Sequence, residues 1–196
     1  MNTNNTTERT ALHQFIKLIV TCLSILFLLH LFTQTKIKQN QIAASLELVK
    51  TLVPNEQASL INEQTLEALS NKGTAHTGQG CGKVYFYKTQ AQGYSSQLQV
   101  ITSFQKQPHG YKLLGARVIP PHQETPGLGD VITPEVADWI FQFDQQGYGD
   151  HVRRRSYDTV SGATISTSAV IKAVSRANSL MNSEHSSGGR NDECQS

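Results

Sequence analysis

Leu98-Gln-Val-Ile-Thr-Ser-Phe104 is the stretch on which the fold turns. Leu98, Val100, Thr102 and Phe104 recur at every second position, the period at which the side chains of a strand return to one face. A helix would scatter the same four around its circumference. Upstream, Val84-Tyr-Phe-Tyr87 is aromatic and strand-prone. Downstream, Pro108-His109-Gly110 reads as a turn, and Leu114, Ala116 and Val118 alternate again. The spacing predicts a β-hairpin across this region.

Helical patterns flank the strands. Ile165, Ala169, Ala173 and Ala177 fall at four-residue steps, with Val170, Val174 and Met181 beside them, which makes one apolar helix face. Pro134 to Phe143 predicts a short helix, because Pro is tolerated in a first turn and Val136, Ile140 and Phe143 would share a face. Ahead of the strands, Ile42, Leu46, Val49 and Leu52 or Val53 keep helical spacing until Pro54 ends the run. Leu60, Ile61, Leu66 and Leu69 predict a second, weaker helix, and Asn71 to Gly82 reads as loop. Helices at the ends and strands in the middle predict an α+β domain, a central antiparallel sheet with flanking helices.

A further apolar run precedes that domain. Phe15 to Phe32 reads FIKLIVTCLSILFLLHLF. As a helix it rises roughly 27 Å, just enough to cross a hydrocarbon core. Lys17 and His30 lie near its two ends, where they can reach the interface. Thr21 and Ser24 can return hydrogen bonds to the helix backbone. A cleaved signal peptide would need small residues soon after the run. Thr33-Gln34-Thr35-Lys36-Ile37-Lys38 supplies none, and Ala43-Ala44 lies too far downstream. The expectation is an uncleaved transmembrane helix in contact with lipid. Arg9 and Lys17 on one side and Lys36 and Lys38 on the other leave its orientation undecided by charge. The expected divisions are an N-terminal tail at 1–14, the membrane helix at 15–35, a helical linker at 36–72, a folded domain at 73–182 and a flexible tail at 183–196.

Composition excludes some functions. The chain of 196 residues has 17 basic and 15 acidic side chains, a formal charge of +2. It lacks the basic stripe of a nucleic-acid binder. Arg153 to Arg155 form the one basic run, which reads as a solvated loop or as a docking patch for an acidic surface or a phosphate. Cys22, Cys81 and Cys194 are far apart without a C-x-x-C pair, which argues against zinc and iron–sulfur sites. Cys81 and Cys194 could bridge in an oxidising compartment.

Two segments carry chemistry. In Asp158-Thr-Val-Ser-Gly-Ala-Thr-Ile-Ser166, the small residues Ser161, Gly162 and Ala163 leave the backbone open just before Thr164, and a helix follows. Ser166, Thr167 or Ser168 can cap that helix. Its free N–H groups and dipole favour a phosphate. On local residues alone, an ordinary capped helix start after a glycine turn is the simpler reading. In His122-Gln-Glu-Thr-Pro-Gly-Leu-Gly-Asp130, Pro126-Gly127 suits a type II turn and Gly129 adds a second permissive point. Such a loop can bring backbone against a flat ring, or be a hairpin loop with no ligand. His122 and Glu124 lack further ligands at metal-binding spacing, so no metal is expected.

The two segments in this order, behind an apolar anchor, resemble the RnfG/RsxG family, the G subunits of Rnf/Rsx-type ion-translocating electron transport complexes. That family is related to the C subunit of the sodium-translocating NADH:quinone reductase. The resemblance also includes Gly93-Tyr94-Ser95, Gly115-Ala-Arg-Val118 and Asp138-Trp139-Ile140. It implies an FMN-binding domain whose FMN is joined through phosphate to the threonine of D-x-x-[S/T]-G-A-T-x-[S/T], here Thr164. A separate flavin transferase would attach it, reading Asp158, Ser161, Gly162, Ala163, Thr164 and Ser166. The implied cofactor-binding residues are Thr164, Ser161, Gly162, Ala163 and Thr167 from one segment and Glu124, Thr125, Gly127 and Leu128 from the other. None would be catalytic. Thr164 would be a tether, because a threonine hydroxyl is a weak nucleophile and no base adjoins it in sequence. The resemblance further implies a single pass through a bacterial inner membrane and a cytoplasmic tail. The domain would lie on the periplasmic side, and the other subunits of a redox-driven ion translocase (enzyme class 7) would be its partners. A stand-alone anchored FMN carrier and a component like the quinone reductase's C subunit are the alternatives.

Overall fold

A computed structural model describes residues 4–108, 110–144, 146–148 and 156–185. Arg153 to Arg155, His109 and Cys194 lie outside the described residues, as does the tail from 186 onward. The chain divides into two units, Met1–Gln41 and Ile42–Ser196.

Helix α1 (Asn4–Lys50) makes up the first unit and continues into the second. Within His13–Lys50 an 18-residue window has a mean hydropathy of 2.4 and is 0% buried. Among the described residues it is the one helix long and apolar enough to cross a membrane. Leu18, Leu26, Phe27, Leu28 and Phe32 are all exposed. A helix apolar all round has no water-facing side. Thr21 and Ser24 donate to Lys17 O and Val20 O, each at 2.8 Å, so their hydroxyls are satisfied within the helix.

The second unit is built on a five-stranded antiparallel sheet in the order β1-β2-β3-β4-β5. The strands are β1 (Thr74–Thr77), β2 (Val84–Gln92), β3 (Gln97–Gln107), β4 (Gly110–Val118) and β5 (Gln146–Tyr148). The expected hairpin is β3–β4, with Val100 opposite Val118. A 10-residue helix, α2 (Glu63–Lys72), precedes the sheet and a 22-residue helix, α3 (Thr164–His185), follows it. One sheet face, carrying Tyr87, Leu98, Val100, Phe104 and Ala116, packs against Ala169, Val170, Ala173, Val174, Ala177 and Met181 of α3. These are the positions at which the sequence pattern places the apolar helix stripe, except Ile165, which stands in the first turn of α3 and is exposed. The other face, with Val84, Phe86 and Ile101, is covered by Val49, Leu52, Val53, Ile61 and Leu69. Residues 42–72 thus contribute a second core layer. Covering on both faces explains why Ile101 can break the polar alternation of β3.

Local differences from the sequence expectations have physical causes. Leu114 does not share a face with Ala116 and Val118. The β3 partner changes from Gly115 at Ser103 to Leu113 at Phe104. This bulge leaves Leu114 as the extra residue and turns it toward the second core, while Leu113 joins the first. The helix expected from Pro134 is a 3-10 helix confined to Asp138–Phe143. Val136 and Ala137 donate to Thr133 O in a separate turn, Ala137 is extended, and Val136 is exposed. β1 occupies part of the expected loop at 71–82. Its strand character comes from pairing with Val84–Tyr87, not from its own composition. The weaker helix is α2, capped by Asn62, which accepts from Thr65 N–H at 3.1 Å, and ended by Gly73 at φ +73°. Leu60 belongs to a preceding 3-10 helix, Asn55–Leu60. Cys81 is disulfide-bonded and Cys22 is free.

Candidate flavin site

The site grows from the start of α3. Ala163 N–H donates to Val160 O at 3.0 Å, closing a turn in which Gly162 stands at φ +83°. Only glycine takes that conformation without strain. Thr167 N–H then donates to Ala163 O at 3.0 Å. Ala163 therefore holds the cap position and brings no side-chain acceptor to it. The hydroxyls expected as caps are used elsewhere: Thr167 Oγ1 donates to Ala163 O at 2.9 Å and Ser166 Oγ donates to Glu124. Among the described residues nothing accepts from the N–H groups of Thr164, Ile165 and Ser166. Together with the helix dipole they form an anion-binding end.

The approach to this helix is held from the side. Trp139 Nε1 donates to Asp158 O at 2.7 Å, and Gln142 both donates to Asp158 O and accepts from Asp158 N–H. That 3-10 helix is braced in turn by Arg117, buried in β4, which pairs with Asp144 through two nitrogens at 2.7 and 2.8 Å. Gly115 is required here, since a Cβ would stand 2.6 Å from Asp144 Oδ1.

The second loop forms the opposite wall. Thr125 O accepts from the N–H groups of Leu128, Gly129 and Asp130. Gly127 has φ +76°, as the expected Pro-Gly turn requires. Beyond Gly127, Gly129 is closely confined, because a Cβ there would stand 3.0 Å from Glu124 Cβ.

Glu124 joins these walls to a third segment, the β2–β3 turn. Its carboxylate accepts from the N–H groups of Tyr94, Ser95 and Ser96, each at 3.2 Å, and from the hydroxyls of Ser96 and Ser166. The residue is only 5% exposed. Burial pushes its pKa up, but the bonds from Ser166, Ser96, Ser95 and Tyr94 outweigh that and hold the carboxyl below its ordinary value.

The three segments enclose a hollow of about 440 Å³. Tyr94 lines it from the turn, Thr125, Leu128 and Gly129 from the loop, and residues 162–166 from the helix start. Tyr94, Leu128 and Ile165 are 68%, 52% and 55% exposed, so the anion-binding end carries an apolar rim. The size lies in the range of cofactor sites. An aromatic group bearing a phosphate fits this chemistry: free N–H groups for the anion, apolar side chains for the ring. The Thr164 hydroxyl is exposed at the same point and makes only a 3.4 Å contact with Val160 O.

The FMN-binding domain family matches residues 93–179, which contain every residue lining this hollow. Over 171 residues the chain is 31% identical to the G subunit of an ion-translocating oxidoreductase complex from Vibrio atlanticus, covering 78% of this chain and 80% of that one. The chain belongs to the RnfG family. A Shewanella oneidensis member is 27% identical over 80% of this chain and 81% of its own. One from Haemophilus influenzae is 37% identical over a shorter region, 50% of this chain and 49% of its own.

In this RnfG-family chain the hollow is lined by five of the residues expected to hold a cofactor: Thr125, Leu128, Gly162, Ala163 and Thr164. Ser166, expected as a candidate cap and as part of the attachment motif, joins them. Ser161 and Asp158 are exposed and do not line the hollow, whereas Thr167 is buried and bonded to Ala163 and Thr164 carbonyls. Glu124 is buried behind the wall, and Gly127 is exposed and does not line the hollow. Sequence reasoning does not single out Tyr94, Gly129 or Ile165 as cofactor contacts. Gly93-Tyr94-Ser95 is a signal for Tyr94, but nothing local says that this turn reaches the helix start.

Proposed function

We propose that this chain is a membrane-anchored flavoprotein of a multi-subunit complex. It carries FMN joined through its phosphate to Thr164 Oγ1 and relays electrons within a complex that couples electron transfer to ion translocation. The observation that carries the reading is the conjunction at the start of α3. Three N–H groups without acceptors among the described residues and an exposed Thr164 hydroxyl open together onto a hollow with an apolar rim. Bound there, the flavin ring supplies reversible electron uptake and release. Thr164, Ile165 and Ser166 would hold the phosphate, while Tyr94 and Leu128 would shield the ring from water. Thr125, Gly162 and Ala163 would complete the contact surface, with Gly127 setting the turn of the loop that carries Thr125 and Leu128.

No side chain bonded to Thr164 can take its proton. A separate flavin transferase fits this arrangement, with Asp158, Ser161, Gly162, Ala163, Thr164 and Ser166 as the motif it reads. Joining Thr164 to the phosphate by loss of water would be unfavourable, so the donor must be a phosphoanhydride of FMN. The Thr164 Oγ1–phosphorus bond forms, the anhydride bond breaks, the second phosphate leaves with its substituent, and the transferase accepts the hydroxyl proton.

The apolar helix within His13–Lys50 supports a single-pass anchor in lipid. The relatives named as subunits of ion-translocating oxidoreductase complexes support a place beside other subunits of such a complex. The membrane in this reading is a bacterial inner membrane. In this reading residues 1–14 stay in the cytoplasm, residues 15–35 span the membrane, and the domain at 73–182 faces the periplasm.

The test is co-expression with a flavin transferase followed by denaturing electrophoresis and in-gel fluorescence. The wild-type band is expected to fluoresce and the Thr164→Val band to be dark. A dark wild-type band, or fluorescence that survives Thr164→Val, overturns the reading.

A further inference from the structure

The pocket wall hides a charge. Glu124 is 5% exposed, and all five groups bonded to its carboxylate are neutral donors. Dipoles stabilise the charge there, but among these partners no cation cancels it. Two of the donors, Tyr94 and Ser166, line the hollow from opposite sides. A third lining residue, Gly129, is tightly packed against Glu124, whose Oε2 would stand 3.1 Å from a Cβ placed there. Gly93 is more tightly confined, since a Cβ there would stand 2.5 Å from Glu124 Oε1. The carboxylate therefore stands one residue layer from anything that fills the hollow, with little water between.

We propose that Glu124 is a positioning and potential-setting residue: its buried carboxylate ties the three walls together and shifts the potential of the bound flavin to more negative values. This rests on the reading that the flavin occupies this hollow. Each electron added to the ring brings negative charge, unless a proton follows it. A fixed negative charge nearby opposes that addition, and it does so more strongly where water cannot screen it. The same residue thus accounts for two observations, the closeness of Gly93 and Gly129 and the purely dipolar solvation of a buried anion.

The test uses the full chain in detergent, flavinylated by a co-expressed transferase, with midpoint potentials read by spectroelectrochemistry. Glu124→Gln keeps the length and removes the charge, whereas Glu124→Asp keeps the charge and shortens the arm. The expected result is a positive shift in Glu124→Gln and a potential close to wild type in Glu124→Asp. A purely structural role predicts the reverse, since the shortened arm disturbs the geometry more. The Gln amide presents its own N–H group to the donors of the β2–β3 turn, so Glu124→Met serves as a second neutral variant and is expected to shift the same way. An unchanged potential in whichever neutral variant folds, or a larger shift in Glu124→Asp, overturns the proposal. A wild-type protein without flavin overturns the Thr164 reading and this inference together, so the two failures are told apart.

Discussion

The two ends of α3 face hollows of different character. At its C-terminal end a cavity of about 590 Å³ lies among β1, β2 and α2, with Tyr85, Tyr87, Glu184 and His185 among its lining. At its N-terminal end the hollow is smaller, about 440 Å³. The larger cavity is lined by residues below 93 or above 179, outside the matched FMN-binding region. Its polar groups are mixed in state, since among the described residues His185 Nε2 is buried without a hydrogen-bond partner. Tyr87 donates to Glu184 at 2.8 Å, and His185 stacks on Tyr111. The smaller hollow instead has donors without acceptors, beside a hydroxyl and an apolar rim. Volume favours the C-terminal cavity, whereas the matched FMN-binding region and the three N–H groups without acceptors beside an apolar rim favour the N-terminal hollow.

That contrast can be broken by mutation. The largest effect on folding is expected from Glu124→Ala, which leaves a set of inward-pointing N–H groups without their acceptor and unties the N-terminal hollow. A loss of about 3 kcal/mol is expected in chemical denaturation, with flavin becoming more accessible to solvent quenchers. A loss under about 1 kcal/mol, the size of a single ordinary hydrogen bond, would show that the carboxylate is not the tie.

Acid should reproduce part of this effect. The carboxyl of Glu124 lies below its ordinary value in the folded protein, so its stabilisation is present above the unfolded pKa of about 4.3 and fades as pH falls through the lower folded value. The stability gap between wild type and Glu124→Ala should therefore narrow on acidification. A gap that is constant down to strongly acidic pH would contradict the assignment.

The smallest effect belongs to the other end. Tyr87→Phe removes the hydroxyl that Glu184 accepts from, at an expected cost of about 1 kcal/mol, and leaves flavin attachment unchanged. Loss of attachment in that variant would mean that the two ends are coupled.

Much of the frame is legible in the sequence because it depends on periodicity. The strand period of Leu98 to Phe104, the helix stripe from Ala169 to Met181 and the apolar run from Phe15 to Phe32 are properties of neighbouring residues. Two short strands are not legible. β1 and β5 have 4 and 3 residues and acquire their character from the strands they pair with. The bulge at Leu114 is hidden for the same reason, since a register shift exists only between two strands. In the site, the motif around Thr164 points to the proposed attachment position, and Pro126-Gly127 announces its turn. The cap is misread from sequence because Ser166 and Thr167 have hydroxyls suited to capping, while other contacts claim both.

The sequence by itself determined the layout: an apolar anchor, a sheet between helices, a threonine at a helix start and a glycine-bearing loop upstream of it. These follow from local sterics and from the periods at which side chains repeat. Only the tertiary structure decided what the helix start could do. Glu124 is 42 residues from Ser166 and 30 from Tyr94 along the chain, and folding brings all three to one buried carboxylate. With Ser166 bound to Glu124 and Thr167 turned back on Ala163, the first N–H groups of α3 keep their bonding capacity for a ligand. A hydrogen bond between distant segments has no periodic trace in a sequence, so that outcome could be read only once the chain was folded.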